Sequence, residues 1–124
     1  MQWYVVFMDV PDKYWWRPLL KKGFRHCMCY RKVPNGVFII NFTGGGVDAY
    51  FLECESAEWM AKAYKNSGDT VLVGSEMQKS SRISFGGFIY CVNLVKSVLG
   101  LRGCLALTPH GLYKKLKKLN FMEI

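Results

Sequence analysis

The sequence predicts an α+β domain in which an antiparallel sheet of four to five strands packs against about three helices. Up to about position 54, short alternating or apolar runs are separated by glycine-containing turns, a pattern typical of antiparallel strands. Later segments repeat apolar residues at intervals of three and four, which is typical of helices. The 124 residues, 51% hydrophobic and 21% charged, suffice for one core, so we predict a single domain over residues 1–124.

Strand signals dominate the amino-terminal half. Five segments are predicted as strands: residues 3–10, 24–32, 37–42, 47–54 and 70–74. The first is apolar on both faces, as in a central strand. The second alternates, so that it places His26 and Cys27 on opposite faces. Asn35-Gly36 predicts a type I′ hairpin turn and residues 44–46 predict the next turn, which together give an antiparallel meander.

Three segments carry helical signals. Ser56 is a predicted N-cap, and Gly68 ends the helix that follows. Cys91 opens a second helix, and Thr108-Pro109 predicts the start of the third. The predicted buried stripes are Trp59, Met60, Ala63 and Tyr64 in the first helix, residues 91, 92, 94, 95, 98 and 99 in the second, and Leu112, Tyr113, Leu116 and Leu119 in the third.

The chain is strongly basic, with 17 Lys and Arg against nine Asp and Glu and a formal net charge of +8. Four lysines lie on the outer face of the last predicted helix: Lys114, Lys115, Lys117 and Lys118. Exposure of this helix face to solvent is enough to explain the four lysines. Contact with an acidic partner or nucleic acid is the alternative interpretation. Trp15-Trp16 beside Arg17 is a second candidate for a partner surface. Nucleic acid is supported by charge alone, without a recognised motif.

Neither a membrane span nor a secretion signal is predicted. No apolar run approaches the roughly 20 residues that cross a bilayer, and the first residues read as a strand without a basic leader. We therefore expect a cytoplasmic protein with no membrane partner. The five cysteines, an odd number, favour free thiols in a reducing compartment. Cys27, Cys54 and Cys104 lie in apolar-rich segments and are interpreted as small core or near-surface residues.

Cys91 and His26 together suggest a chemistry. Cysteine nucleophiles react as thiolates, and a helix N-terminus or a nearby imidazolium lowers the thiol pKa below its usual value of about 8.5. Cys91 follows a glycine-rich approach at 85–87 and lies in the first turns of its helix. The competing interpretation is structural, because each residue also fits an apolar core position. His110 is the weaker partner, since it lies in the first turn of a helix, where a protonated imidazole is disfavoured.

A third polar residue would orient the imidazole. With a two-residue turn in the first hairpin, Gly45 lies opposite His26, and Asn41 shares the face of His26 without standing directly opposite it. A three-residue turn would move Asn41 to the other face. Asn41 is therefore one candidate, and Thr43 and Asp48 are its alternatives.

We predict no metal and no cofactor. His26, Cys27 and Cys29 are clustered in sequence, but successive strand residues point to opposite faces and the chain has no CxxC pair. The glycines at 44–46 lack the lysine and the following helix of a phosphate-binding loop, so we interpret them as a turn.

The order of these parts resembles the circularly permuted papain-like fold, that is, the NlpC-type peptidase superfamily and its lecithin:retinol acyltransferase relatives. The histidine precedes the cysteine, the reverse of the unpermuted order. The carboxy-terminal half is also similar to small uncharacterised bacteriophage proteins. The stretches that carry the resemblance are residues 24–26, 39–42, 91–100 and 107–116. The resemblance implies that Cys91 is the nucleophile, His26 the base and Asn41 the orienting residue.

Two functions follow as expectations. The first is a cysteine-dependent hydrolase or acyltransferase acting on an amide or ester bond, encoded by a phage and directed at a host protein or cell-wall peptide. The second is a non-catalytic phage accessory or virion protein of the same fold, which binds a host protein or nucleic acid through its basic surface. Either would be found in the host cytoplasm or associated with the virion.

Overall fold

A six-stranded open antiparallel sheet and three α-helices make up the described part of the chain, which confirms the α+β class. The structure is a computed structural model that describes residues 2–10, 17–43, 46–77, 90–101 and 104–124, without the side chains of residues 17 and 90. The elements in chain order are β1 (Gln2–Met8), a 3-10 turn (Arg17–Leu19), β2 (His26–Val33), β3 (Gly36–Thr43), β4 (Gly46–Glu53), α1 (Ala57–Asn66), β5 (Thr70–Ser75), α2 (Tyr90–Leu99), α3 (Pro109–Lys118) and β6 (Met122–Glu123).

The strands lie in the order β4-β3-β2-β1-β5-β6, so the apolar first strand is central, as predicted. The prediction of four to five strands was short by β6. This strand has two residues, Met122 and Glu123, which pair with Val73 and Leu72. A strand of two residues is too short to show an alternation of apolar and polar residues. The chain reverses just before it, at Asn120, whose φ is +69°. The strand therefore depends on tertiary pairing and has no local sequence signal.

The first hairpin turns one residue earlier than the Asn-Gly pair predicts. Val33 pairs with Gly36, so Pro34 and Asn35 form the turn. Asn35 has a φ of +66°, and proline is restricted to φ near −65°, which matches a type II turn and excludes type I′. Gly36 belongs to β3 instead, where any side chain would overlap the carbonyl oxygen of Leu52 on β4.

Each face of the sheet carries its own core. One face packs against α1, and the buried residues of this α1 face are Tyr4, Val6, Met28, Tyr30, Val37, Ile39, Ala57, Met60, Ala61 and Val71. The other packs against α2 and α3, and the buried residues of this α2 face are Trp3, Val5, Phe7, Cys27, Cys29, Leu72, Cys91, Val92, Val95, Leu99, Leu112, Leu116 and Phe121. The strict alternation along β1 and β2 produces this division.

Both predicted N-caps are confirmed. The Ser56 hydroxyl accepts a hydrogen bond from the Trp59 N–H at 2.9 Å, and the Thr108 hydroxyl accepts one from the Gly111 N–H at 3.0 Å. The stripe predicted for α1 is wrong in part, because Trp59 and Ala63 are exposed. Helix α1 instead lies on the sheet through the buried residues Ala57, Met60 and Ala61. The small alanines allow a close approach that a count of bulky apolar residues does not reveal.

Several predictions fall on residues that the structure does not describe. These are the Trp15-Trp16 surface, the turn glycines 44 and 45, and the glycine-rich approach at 85–87. Within the described residues, no helix combines the length and the apolar character needed to cross a membrane.

Candidate active site

His26 is the first residue of β2, and its backbone is held in place by the residue before it. The Arg25 N–H donates to the Met8 carbonyl at 3.1 Å, and the buried Arg25 guanidinium pairs with the Asp9 carboxylate at 2.7 Å. His26 itself is paired with Met8 across the sheet. A paired backbone and a neutralised neighbouring cation fix where β2 begins, and with it the half-buried imidazole.

Asn41 lies beside His26. The Nε2 atom of His26 is 2.7 Å from the Asn41 side-chain oxygen. The register of β2 with β3 includes the pair Cys29 and Ile40, and its extension places Thr43 opposite His26 and Asn41 on the adjacent diagonal. The expected shared face of His26 and Asn41 is therefore observed. The expected partner Gly45 is wrong, because the hairpin turns one residue earlier.

Cys91 reaches this pair from α2. It is the second residue of the helix as described, its side chain is 7% exposed, and it belongs to the same buried cluster as Cys27. Helix α2 packs across β2 and β3, which brings Cys91 over the start of β2. Alternation assigns His26 to the α1 face and Cys91 to the α2 face. His26 is the first residue of β2, and its imidazole interacts with Cys91 although alternation assigns the two residues to different faces.

The surroundings of Cys91 favour its thiolate. The hydrogen bond from the Cys27 side chain lowers its pKa most, burial opposes this, and the hydrogen bond and charge of His26 and the Cys27 N–H lower it further. Together they bring the pKa of Cys91 from 9.0 to about 5. Burial lowers the pKa of His26, but its interactions with Cys91 and Asn41 outweigh burial and raise it above 6.5. Between these values the pair is a thiolate and an imidazolium.

Cys27 was missed as part of the site, since its apolar surroundings suggested only a core residue. Its side chain is 1% exposed, and burial, followed by the hydrogen bond and charge of Cys91, raises its pKa well above 9.0. It therefore remains a protonated thiol beside an ionised one. The alternation of β2 was the available signal, because it turns the residue after His26 toward the helix that carries Cys91.

The other candidates lie in different contacts. The Thr43 hydroxyl donates to the Asp48 carboxylate, so these two alternatives to Asn41 satisfy each other. His110 contacts Lys21 at 3.2 Å, and burial and the charge of Lys21 lower its pKa. Cys29 directs its thiol toward the Ile40 carbonyl. The contacts described at Cys91 therefore include His26 and Cys27 and none of these four residues.

The described residues contain no group of three or more His, Cys, Asp or Glu suited to hold a metal ion. Comparisons with protein-family models, curated proteins and solved structures find no match to this chain. The candidate site therefore consists of Cys91, His26, Asn41 and Cys27.

Proposed function

We propose that this protein is a cysteine-dependent hydrolase or acyltransferase that acts on an amide or ester bond. The observation that carries the proposal is the His26 imidazole, which contacts Asn41 at 2.7 Å and lowers the pKa of the Cys91 thiol. The order of histidine on an early strand and cysteine on a later helix supports a circularly permuted papain-like fold. On that resemblance we extend the proposal to a phage-encoded enzyme acting on a host protein or cell-wall peptide.

Asn41 sets the orientation of the imidazole. An amide oxygen can only accept a hydrogen bond, so the Nε2 atom of His26 that faces it carries a proton. The other ring nitrogen, Nδ1, is then the atom that exchanges a proton with Cys91. A cysteine and histidine pair requires this arrangement for proton transfer: one ring nitrogen is held by the amide, and the other faces the thiol.

Acylation starts from the thiolate of Cys91. Its sulfur forms a bond to the substrate carbonyl carbon, and the carbonyl electron pair moves to oxygen. We assign the stabilisation of that oxyanion to main-chain N–H groups in the first described turn of α2. As the bond to the leaving group breaks, the imidazolium of His26 gives its proton to the departing amine or alcohol oxygen. A thioester on Cys91 and a neutral imidazole remain.

Deacylation returns both residues to their starting state. Water attacks the thioester carbonyl while the imidazole of His26 takes one of its protons. The carbon–sulfur bond then breaks, which releases a carboxylic acid and restores the Cys91 thiolate and the His26 imidazolium. An amine or alcohol in place of water would receive the acyl group, so the same steps describe a transferase.

An activated ester tests the proposal directly. Incubation with p-nitrophenyl acetate is expected to release p-nitrophenolate and to leave an acetyl group on Cys91, identified by peptide mass spectrometry. Cys91→Ala should abolish this adduct, and His26→Ala should slow its formation by roughly a hundredfold or more, since acid–base catalysis contributes at least that much.

Cys54→Ala is the matched control. Cys54 is a half-buried thiol whose hydrogen bond goes to the Ser56 carbonyl at 3.6 Å, so its removal should leave acetylation unchanged. Acetyl groups spread over all five cysteines, or a release of p-nitrophenolate that Cys91→Ala leaves unchanged, would contradict a nucleophilic Cys91.

The lysine face of α3 supports binding as the second candidate function. Lys114, Lys115, Lys117 and Lys118 are all exposed, and Glu123 lies 3.8 Å from Lys117. Binding to mixed-sequence DNA or RNA that weakens steeply with salt, and that Cys91→Ala leaves intact, would favour this candidate over the enzyme. An acidic host protein would be recognised through the same face.

A further inference from the structure

We propose that Cys27 is a positioning residue for the Cys91 nucleophile, to which it donates both its S–H and its main-chain N–H. The inference rests on the proposed function of Cys91. It assigns a role to a residue that the usual cysteine, histidine and amide set does not contain, and it explains why a second thiol lies buried against the first.

The placement of Cys27 follows from the strand. It stands between His26 and Met28 in β2 and is paired with Phe7 of β1. Its side chain points to the α2 face and belongs to the same buried cluster as Cys91. Two consecutive residues of one strand thus act on Cys91: His26 at the start of β2, and Cys27 within the buried cluster that it shares with Cys91.

Burial keeps Cys27 a hydrogen-bond donor. At 1% exposure its own ionisation is suppressed, so it keeps its proton at pH values where Cys91 has lost one. A thiol is a weak donor in water, but a hydrogen bond to an anion in apolar surroundings is strengthened by the low local dielectric. The main-chain N–H of Cys27 adds a second donor to the same sulfur, and the strand holds this donor rigidly.

Cys29 is the control residue for Cys27 within the same strand. It is a fully buried thiol two residues along the same strand, on the same face, and burial raises its pKa to about 12. Its S–H is directed to the Ile40 carbonyl at 4.0 Å, not to Cys91. Removal of Cys29 therefore reproduces the loss of a buried thiol from this core without the loss of a donor to the nucleophile.

The test is the pH dependence of Cys91 alkylation by iodoacetamide, followed peptide by peptide in the full chain. Cys27→Ala is expected to move the alkylation curve to higher pH and to slow alkylation roughly tenfold at about pH 6, the loss of one hydrogen bond to a charged group. Cys27→Ser keeps a donor and should restore most of the rate. Cys29→Ala should superimpose on the unmodified protein.

The alkylation curves distinguish a failure of the proposed function from a failure of the role assigned to Cys27. A Cys91 that titrates near 8.5 in the unmodified protein contradicts the proposed function itself. A low Cys91 titration that is the same in the Cys27→Ala and Cys29→Ala variants contradicts only the role of Cys27. If circular dichroism shows that Cys27→Ala does not fold, Cys27→Val and Cys27→Ser replace it, since valine fills the space without a donor and serine supplies one. Equal curves for those two variants would overturn the inference.

Discussion

Both faces of the sheet bury side chains that can lose a proton, and the pKa values of Tyr30 on one face and Cys91 on the other shift in opposite directions. On the α1 face, the Tyr30 hydroxyl donates to the Ala57 carbonyl at 3.1 Å, and burial raises the pKa of Tyr30. The Tyr4 hydroxyl donates to Glu58 at 3.2 Å, and burial again raises its pKa. On the α2 face, the buried Cys91 has a lowered pKa. The buried tyrosines of the α1 face stay protonated, whereas on the α2 face Cys91 ionises beside the protonated Cys27.

The difference lies in the partners and not in the depth of burial. The tyrosines face acceptors, a carbonyl and a carboxylate, and both stabilise the protonated hydroxyl. Cys91 faces donors and a potential cation, Cys27 and His26, which stabilise its anion. Strand β2 contributes to both environments, since Tyr30 and Cys27 belong to it. Burial is therefore compatible with either the protonated or the ionised form of a side chain, and the neighbouring donors or acceptors determine which form is present.

The largest change in the rate of Cys91 acylation is expected when Asn41 is substituted. Asn41→Ala removes the acceptor that orients the imidazole, and a misplaced catalytic group costs about a hundredfold in rate. Ester acylation of Cys91 should fall by that amount. Asn41→Asp keeps an acceptor oxygen and should retain most of the activity, which measures orientation apart from folding.

Thr43→Ala is the control for the Asn41 variants. Thr43 is on the same strand, but its hydroxyl donates to Asp48. A rate loss in Thr43→Ala that equals the loss in Asn41→Ala would show that β3 as a whole, and not the Asn41 oxygen, supports the site.

The next effect is a bell-shaped pH profile of ester acylation. Below about pH 5 Cys91 takes up a proton, so the rate should drop about tenfold for each further pH unit. Above the pKa of His26, which is raised from 6.5, the imidazolium loses the proton needed by the leaving group, so the rate should fall again. Stopped-flow measurement with p-nitrophenyl acetate checks the acid limb. The alkaline limb is checked with an alkyl ester, whose alcohol oxygen must be protonated as it leaves. A single rise centred near 8.5 would mean that no ion pair forms.

The smallest effect on the site comes from the opposite face. Tyr30→Phe leaves the Ala57 carbonyl without its hydroxyl partner and should lower the free energy of unfolding by about 1–3 kcal/mol. Urea denaturation measures this loss. The pH profile of Cys91 should not move, because Tyr30 lies on the α1 face. A displaced profile would show that the two faces are coupled.

Most elements were predictable because their signals are local. The caps at Ser56 and Thr108 depend on a few neighbouring residues, and both occur where the sequence places them. The stripe of α2 was likewise predictable, since five of its six positions are buried. The pairing of Cys91 with His26 was predictable as a candidate, because few other residues offered nucleophilic chemistry. The resemblance to a permuted papain-like fold stays a proposal.

By itself the sequence determined five of the six described strands and the three helices, where two of the helices begin, and which face of β2 its buried side chains take, because period and capping act over a few residues. Only the tertiary structure decided the register of the first hairpin, where Gly36 serves close strand approach and Pro34 and Asn35 make the turn. The hydrogen bonds then distinguish Asn41, which contacts His26, from Thr43 and Asp48, which bond to each other. The contact of Cys27 with Cys91 also needed the packed helix, since residues 64 positions apart carry no local signal of each other.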